Sequence, residues 1–456
     1  MTQSKPGLKI IDRSNFRSPW VIRLVVLGTT GLFLPLMAFY SGSGASVVIV
    51  ACIAALVLLT GIYKFDYLHP AVAYLVPWLT LLIMSVFPIS DYARPLELRT
   101  YALLLSAIFV WLLATVRAPV VAIAGPADAT GNRDVQAMNE PHPRAATRVG
   151  VAFAILYAIA VVDVAVSGYI PIIQLITTGD SGYLDFGIPS VHGAFYAYAN
   201  ALACLAFYLY LRTKSRGYLL LFLSVVSIHL AFVTRGHLLI LLIEAFVINC
   251  FVRGTVHRVK LAALCVSALV LFSIVGELRS GDIKDIIKVN QDYMWVPTAF
   301  TWLYAYSYFN VLNLENMIQI SDAPYFDGIM LNGLLPSIIR PESTHEVSFE
   351  LPAMNVLSYI YPMYMDIGPI GVILCTAILG AVTTLVYRRA LQACRFGYVA
   401  SYATLFFCAL LSFFVDFWFQ LPVIFQVFFF CVFDRLFFKR EKRPQTLRLA
   451  PAKAVH

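Results

Sequence analysis

About twelve long apolar runs, each of roughly 20 residues, constrain the fold of this chain more than any other feature of its sequence. A helix needs about that many apolar residues to cross the hydrocarbon core of a bilayer. Of the 456 residues, 60% are hydrophobic and only 13% are charged, and this composition excludes a water-soluble globular protein. Closed β-barrels would show short alternating segments instead of continuous runs. The sequence therefore predicts an all-α, polytopic integral membrane protein.

The apolar runs also give the bounds of the expected membrane helices. We predict spans over 21–40, 45–64, 69–88, 100–116, 149–168, 191–211, 217–233, 237–252, 259–276, 365–387, 399–418 and 421–438. The first run has full span length and is followed by no small-residue cleavage site, so we expect it to remain as a helix.

Lysine and arginine gather in every second connection between these predicted helices. Basic residues stay on the cytoplasmic side of a membrane, so both termini are expected in the cytoplasm. The net charge of +8 is then explained by topology, and no nucleic-acid partner is expected. The basic positions are Lys5, Lys9, Arg13, Arg17, Lys64, residues 117–148, Arg212, Lys214, Arg216, Arg253, Arg258, Lys260, Arg388, Arg389, Arg395 and the C-terminal tail.

The connections divide the chain into tails, membrane parts and one long loop. The expected parts are a cytoplasmic tail over 1–20, membrane helices one to nine over 21–276 with a cytoplasmic linker at 117–148, a large structured periplasmic loop over 277–364, membrane helices ten to twelve over 365–438, and a cytoplasmic tail over 439–456. All eight cysteines fall in spans or cytoplasmic connections, so no disulfide framework is predicted. No Cys/His spacing indicates a metal site, and no cofactor is expected.

Residues 277–364 are too long for a simple connector and carry their own apolar, aromatic and charged patches. Long connections with structure of their own are usually functional. The aromatic piece YMWVPTAFTWLYAYSYF at 293–309 fits an interfacial helix, a re-entrant segment or a thirteenth span. Its tyrosines and tryptophans suit either sugar stacking or an ordinary interfacial belt, and the belt is the simpler interpretation.

Three arginines fall on the outer side, where the distribution of basic residues disfavours them. Arg235 lies in the turn TRGHLL, Arg279 in GELRSG and Arg340 in the long loop. Guanidinium groups keep their charge and bind phosphate through two parallel hydrogen bonds, so convergent arginines indicate an anionic ligand such as a lipid-linked pyrophosphate. Alternatively, each arginine extends to lipid headgroups or pairs with a nearby carboxylate.

A resemblance to a known family rests on the segment NVLSYIYPMYMDIGPIGVILCTAILGAVTTLVYRR at 355–389. It is similar to the late segment of bacterial oligosaccharide repeat unit polymerases, the Wzy-type O-antigen and capsule polymerases. TRGHLL, GELRSG and WLYAYSYFNVLNLENMI at 302–318 also resemble segments of that family and follow in the same order. The positions that fit the family pattern are Asn355, Tyr364, Asp366, Gly368, Gly371 and Gly380.

The resemblance implies a metal-independent glycosyltransferase with a C-type glycosyltransferase-like fold in the bacterial inner membrane. It would transfer a growing glycan from its undecaprenyl-pyrophosphate carrier to the next lipid-linked repeat unit at the periplasmic face. Besides these substrates and membrane lipid, a polysaccharide chain-length regulator is an expected partner. The same family resemblance leaves a related O-antigen ligase open.

Glycosyl transfer requires stabilisation of the departing pyrophosphate and activation of the acceptor hydroxyl. Arg235 and Arg279 are the candidates for the first task, and His237 and Asp366 are the candidate catalytic acid–base groups. His345 and Glu346 are further base candidates. Asp366 equally fits a helix-end position, and the glycines of DIGPIG fit close helix packing. The candidate substrate-binding residues are Arg340, His345, Asn355 and Tyr364.

A secondary transporter or a lipid-linked oligosaccharide flippase is the alternative class. Asp163, His229, Glu244 and Asp416 lie within predicted spans, and ionisable groups there are candidates for an ion or proton pathway. The absence of a sequence repeat and the presence of the long outer loop disfavour this alternative. A satisfied interior hydrogen-bond network explains the same residues without transport.

Overall fold

The computed structural model describes residues 48, 53–55, 57–63, 66–120, 140–183, 185–254, 266–267, 269–270, 273–274, 276–277, 281–341 and 347–439, with only the backbone of Thr60, Gly61 and Arg235. Outside these residues lie the predicted span over 21–40, part of the span over 45–64, most of the span over 259–276, most of the linker 117–148, and both tails apart from Lys439. Arg279, His345 and Glu346 also lie outside them.

Every regular element in the described part of the chain is a helix, which confirms the prediction of an all-α fold. A short π-helix covers Leu58–Ile62 and a 3₁₀ turn covers Gln291–Tyr293. The α-helices are α1 (Pro70–Met84), α2 (Leu98–Thr115), α3 (Ala145–Ser167), α4 (Pro171–Thr178), α5 (Val191–Thr213), α6 (Arg216–Ala231), α7 (Arg235–Arg253), α8 (Ile283–Ile286), α9 (Thr298–Ile320), α10 (Ile329–Asn332), α11 (Ile360–Ala393), α12 (Phe396–Leu410) and α13 (Leu421–Phe437).

Five stretches of the described chain are long and apolar enough to cross a membrane: Leu98–Thr115, Ala145–Thr178, Val191–Thr213, Gly236–Arg253 and Ile360–Ala393. Three shorter apolar helices, α1, α6 and α12, have 10–17 residues. These helices support a membrane-embedded protein. The sequence predicts about twelve spans, and that larger number stays a prediction.

The connections between helices gather at two ends of the bundle, and the first is called the loop end. It comprises residues 85–97, 168–183, 185–190, 232–234, 281–297, 321–341, 347–359 and 411–420. A β-bridge joins Ser90 to Val289, and the Tyr359 amide donates to the Ser412 carbonyl at 3.1 Å.

The opposite end, called the basic end, comprises residues 66–69, 116–120, 140–144, 212–215, 394–395 and 438–439. Here a β-bridge joins Pro141 to Phe438, and the Arg388 guanidinium donates to the Arg117 carbonyl. Helices α1, α2, α3, α5, α6, α7, α11, α12 and α13 run between the two ends, whereas α9 begins and ends at the loop end.

Close packing between α2 and α11 depends on a glycine and on buried aromatic rings. A Cβ atom added at Gly380 would lie 2.8 Å from the Cβ of Ala114. Small residues let membrane helices approach, because dispersion contacts replace the hydrophobic effect in lipid. Tyr74 of α1 stacks on Trp111 of α2 with ring centroids 4.5 Å apart, and its hydroxyl lies 2.6 Å from that of Tyr359. These contacts tie α1, α2 and α11 together.

The long loop predicted over 277–364 contains the helices α8, α9 and α10 and the start of α11. The aromatic piece forms most of α9, a helix of 23 residues that begins after Pro297. Its buried side chains include Trp302, Tyr304 and Tyr308. Helix α9 is not among the five stretches of the described chain that are long and apolar enough to cross a membrane. Most tyrosines of α9 are therefore core residues and not a belt facing lipid.

Two helix bounds differ from the predicted ones for identifiable reasons. Helix α12 ends at Leu410 rather than at 418, because the Asp416 carboxylate accepts hydrogen bonds from the Trp418 and Phe419 amides and forms a turn. Helix α11 begins at Ile360 and is kinked at Gly368, whose φ of 71° and ψ of −161° are not helical. Glycine adopts this backbone conformation without strain, and Pro369 restarts the helix.

Candidate functional site

The turn that carries Arg235 connects α6 to α7 at the loop end. Val233 takes a positive φ of 56°, and the Thr234 amide donates to the His229 carbonyl at 3.0 Å. Arg235 is the first residue of α7. The chain thus places this arginine at the positive end of a helix dipole, a position that attracts anions.

His237 lies in the first turn of α7 and stacks on an aromatic side chain of α5. Its ring centroid is 4.2 Å from that of Tyr196, with 21° between the planes. Tyr196 also stacks on His229, with centroids 5.7 Å apart. Both nitrogens of His229 have partners, Thr234 Oγ1 at 3.1 Å and Asn200 Oδ1 at 2.8 Å. His229 therefore belongs to an interior hydrogen-bond network, one of the two roles predicted for it.

A histidine that the sequence interpretation missed lies beside this stack. His192, the second residue of α5, holds its Nδ1 atom 2.8 Å from Oδ2 of Asp163 on α3. Asp163 is fully buried, so its charge needs a partner at this depth. The sequence does contain a signal for this pair, because an acid lies near the outer end of one predicted span and a histidine lies at the outer start of the next.

Asp366, the predicted acid–base candidate on α11, has both carboxylate oxygens occupied. They accept hydrogen bonds from the backbone amides of Ile329 and Met330 at 2.8 and 2.7 Å. Asp366 is 4% exposed. This arrangement caps the short helix α10 and holds it against α11, which is a structural task.

The segment that follows this cap, residues 329–340, crosses the loop end and carries Arg340. The carbonyl of Gly333 accepts from the Leu421 amide at 2.9 Å, and Ser337 Oγ lies 2.9 Å from Ser190 Oγ. Ser190 immediately precedes α5. Arg340 is exposed, and its guanidinium donates to the Leu335 carbonyl at 3.1 Å. Arg340 and His192 are therefore each a few residues from the same serine pair.

Tyr364, a predicted substrate-binding residue, contacts an arginine that the sequence interpretation also missed. Its hydroxyl accepts a hydrogen bond from Arg99 Nη2 at 2.9 Å. Arg99 is exposed, and within the described residues no carboxylate lies within 4.0 Å of its guanidinium. Arg94 and Arg99 lie at the outer end of the predicted fourth span, where basic residues are disfavoured, and the same rule would have found them.

Arg94, in contrast to Arg99, is neutralised by acids. Its Nε is 3.6 Å from Glu315 Oε2, and its Nη2 is 3.3 Å from Glu350 Oε2. Burial raises the pKa of Glu315, while a hydrogen bond from the Glu97 amide, the Thr100 hydroxyl and the charge of Arg94 oppose that rise. Arg94 therefore fixes α9 to the segment before α2, and Arg99 remains the cation open to a ligand.

The structure thus brings the backbone of Arg235 and the side chains of His237, Asp366, Tyr364 and Arg340 to one end of the bundle. Asn355 lies at the same end as an exposed side chain. Within the described ranges, no group of three or more His, Cys, Asp or Glu residues is placed to hold a metal ion.

Glu244, predicted as a candidate for an ion pathway, is fully buried in the middle of α7. Its carboxylate accepts hydrogen bonds from Thr404 Oγ1 at 2.5 Å, from Gln426 Nε2 at 2.7 Å and from Cys204 Sγ at 3.3 Å. These donors belong to α12, α13 and α5, so one carboxylate joins four helices.

The chain matches no protein-family model, no curated protein and no solved structure. A proposal of function therefore rests on this geometry and on the sequence segments quoted above.

Proposed function

We propose that this protein is a polysaccharide polymerase that joins undecaprenyl-pyrophosphate-linked oligosaccharide repeat units into a surface polysaccharide. The transfer takes place at the loop end, which we assign to the periplasmic face of a bacterial inner membrane, with about twelve spans and both termini in the cytoplasm. The observation that carries the proposal is the hydrogen bond between Ser337 and Ser190. It holds the segment with Arg340 over the start of α5, where His192 lies.

The chemistry is a displacement at the anomeric carbon of the growing glycan. Positive charge develops on the sugar, and negative charge develops on the departing pyrophosphate. Cations held in place before the reaction stabilise that leaving group, and loss of one such donor typically lowers the rate about 10²- to 10³-fold. Arg235, Arg279 and Arg340 are the proposed pyrophosphate ligands.

The acceptor repeat unit needs a second position beside the donor. Arg99 and Tyr364 form the proposed contact for it, since the guanidinium is exposed and its orientation is set by the tyrosine hydroxyl. His345 and Asn355 remain proposed sugar contacts on the same loop. A chain-length regulator is a proposed partner through the family resemblance.

The test is to delete the gene in its host and to compare surface polysaccharide on a gel with and without plasmid-borne protein. Loss of the ladder with retention of a single capped repeat supports a polymerase. Arg235→Ala, Arg279→Ala and Arg340→Ala should each shorten the ladder. The matched control is Arg389→Ala, because Arg389 is an exposed arginine near the basic end. If Arg235→Ala and Arg279→Ala both left chain length unchanged, the site hypothesis would be wrong.

Ion-coupled transport of the lipid-linked repeat is the second candidate function. It is favoured by Glu244, a fully buried acid with neutral hydrogen-bond donors in the middle of a membrane helix. The same gene deletion separates the two candidates. A transporter mutant would lose all polymer and retain lipid-linked repeats on the cytoplasmic side.

A further inference from the structure

Asp163 and His192 form a pair whose geometry is fixed from several sides. Asp163 Oδ1 accepts a hydrogen bond from the Ile188 amide at 3.3 Å, and Oδ2 lies 2.8 Å from His192 Nδ1. One carboxylate therefore binds both the start of α5 and the connection that precedes it. Such a carboxylate fixes which imidazole nitrogen carries a proton.

The imidazole of His192 is confined by its neighbours. A Cβ atom at Gly187 would lie 2.5 Å from His192 Nδ1, and Gly187 has a φ of +86°. The ring stacks on Phe195 at 10° between planes and contacts the edge of Tyr196 at 4.3 Å between centroids. The ring therefore has little freedom to rotate away from Asp163.

The second nitrogen, Nε2, is the available one. Among the residues that the structure describes, no hydrogen-bond partner of Nε2 is found, and the side chain keeps 16% of its surface exposed. His229 differs, because both of its nitrogens are bonded to side chains of the protein.

We propose that Asp163 and His192 act as a general-base dyad that activates the acceptor hydroxyl. This inference rests on the proposed polymerase function. Nε2 of His192 takes the proton of the sugar hydroxyl as its oxygen bonds to the anomeric carbon. The bond from that carbon to the pyrophosphate oxygen breaks, its electron pair leaves with undecaprenyl pyrophosphate, and the imidazolium later returns its proton to water.

The position of the dyad fits this step. Phe232, three residues before Arg235, has its ring centroid 6.1 Å from that of His192. Ser190, two residues before His192, contacts Ser337, three residues before Arg340. The dyad therefore lies between the two chain segments that carry proposed pyrophosphate ligands, where an attacking hydroxyl has to be.

The experiment measures initial rates of glycan elongation by the purified full-length protein on lipid-linked repeat units across a range of pH. His192→Gln carries no group that takes up a proton at neutral pH, so we expect the elongation rate to fall by at least about 10²-fold. Asp163→Asn removes the charge that stabilises the imidazolium. The acidic limb of the pH–rate profile of this variant should move to lower pH, an effect that a merely structural role would not produce.

The ionisable groups nearest this ring among the described residues are Asp163 of α3, Tyr196 of α5 and His237 of α7. His229 of α6 stacks on Tyr196 and His237. His229→Gln is the matched control, since it alters a buried histidine of the same cluster whose nitrogens are occupied. It should leave the shape of the pH profile unchanged.

Wild-type rates and an unshifted pH profile in both His192→Gln and Asp163→Asn would overturn the dyad while leaving the polymerase proposal intact. Failure of the wild-type protein to elongate the substrate would overturn both. If His192→Gln does not accumulate in membranes, Asp163→Asn alone decides through its acidic limb.

Discussion

Two polar regions along α7 differ in how many of their side-chain atoms have hydrogen-bond partners within the protein. Around His237, near the start of the helix, the cluster contains a partly exposed histidine with one nitrogen available, His192. Around Glu244, two turns further along, neutral donors from three other helices surround a fully buried carboxylate. An interior polar group without partners is costly in a membrane, so the second region is organised for stability. The first keeps groups available for a ligand.

This difference also bears on the choice between polymerase and transporter. A proton or ion carrier in the middle of a helix has to exchange its partners during transport. Glu244 shares its oxygens with side chains of α5, α12 and α13, and breaking these contacts would loosen four helices at once. We therefore interpret Glu244 as a structural connection and assign the chemistry to the loop end.

The largest effect on stability is expected from Glu244→Ala. The substitution leaves a cavity and removes the acceptor for Thr404 and Gln426, so we expect a loss of about 2–4 kcal/mol in the free energy of unfolding. Thermal unfolding in detergent measures it. Glu244→Gln is the matched control, because its amide keeps one acceptor and nearly the same volume, and it should restore most of the stability.

Normal folding of Glu244→Gln together with loss of polymer formation would contradict the structural role of Glu244. A dependence of product on an ion gradient in the wild-type protein, lost in this variant, would favour transport.

A smaller effect is expected from Asp416, which lies at the loop end between α12 and α13. Burial raises the pKa of this carboxyl from 3.8 to about 7, although the Trp418 and Phe419 amides oppose the rise. The folded protein thus binds a proton that the unfolded chain releases, and its stability falls as pH rises from about 4 to about 7. The contribution is on the order of 1–2 kcal/mol because Asp416 is not fully buried. Unfolding temperatures at pH 5 and pH 8 measure it.

Asp416→Asn removes the ionisable group and should flatten this dependence on pH. If the unfolding temperature of the variant fell between pH 5 and pH 8 as steeply as that of the wild type, another group would be responsible.

The smallest effect on stability is expected from Arg99→Gln. Arg99 is exposed and bonded only to the Tyr364 hydroxyl among the described residues, so the free energy of unfolding should change by less than about 1 kcal/mol. Elongation rates should nevertheless fall, because the proposed acceptor position loses a cation.

Arg94→Gln is the matched comparison. It leaves the buried Glu315 without its guanidinium partner and should lower stability more than Arg99→Gln does. Equal elongation by Arg99→Gln and wild type would remove Arg99 from the site.

The sequence predicted the local elements better than their contacts. Apolar runs located α2, α3, α5 and α7 to within a few residues, because the length of an apolar segment is fixed by the membrane it crosses. The same reasoning placed Arg235 in the turn before a helix, and in the structure Arg235 is the first residue of α7. It did not give the end of α12 at Leu410, since that bound depends on the side chain of Asp416 folding back on the next turn.

The candidate site was predicted only in part, for a related reason. Asp163 and His192 are 29 positions apart, and Ser190 and Ser337 are 147 apart. Such pairs depend on how helices pack, and periodicity along the chain contains no signal for them. The role of Asp366 as a cap of α10 was hidden in the same way, because its two partners lie in another segment.

The polymerase proposal is tested most directly by elongation of lipid-linked repeat units by the purified protein in detergent, where no ion gradient exists. We expect a ladder of products in the wild type and its loss in His192→Gln at an unchanged unfolding temperature. Absence of any ladder, together with gradient-driven movement of the same substrate across liposomes, would contradict it.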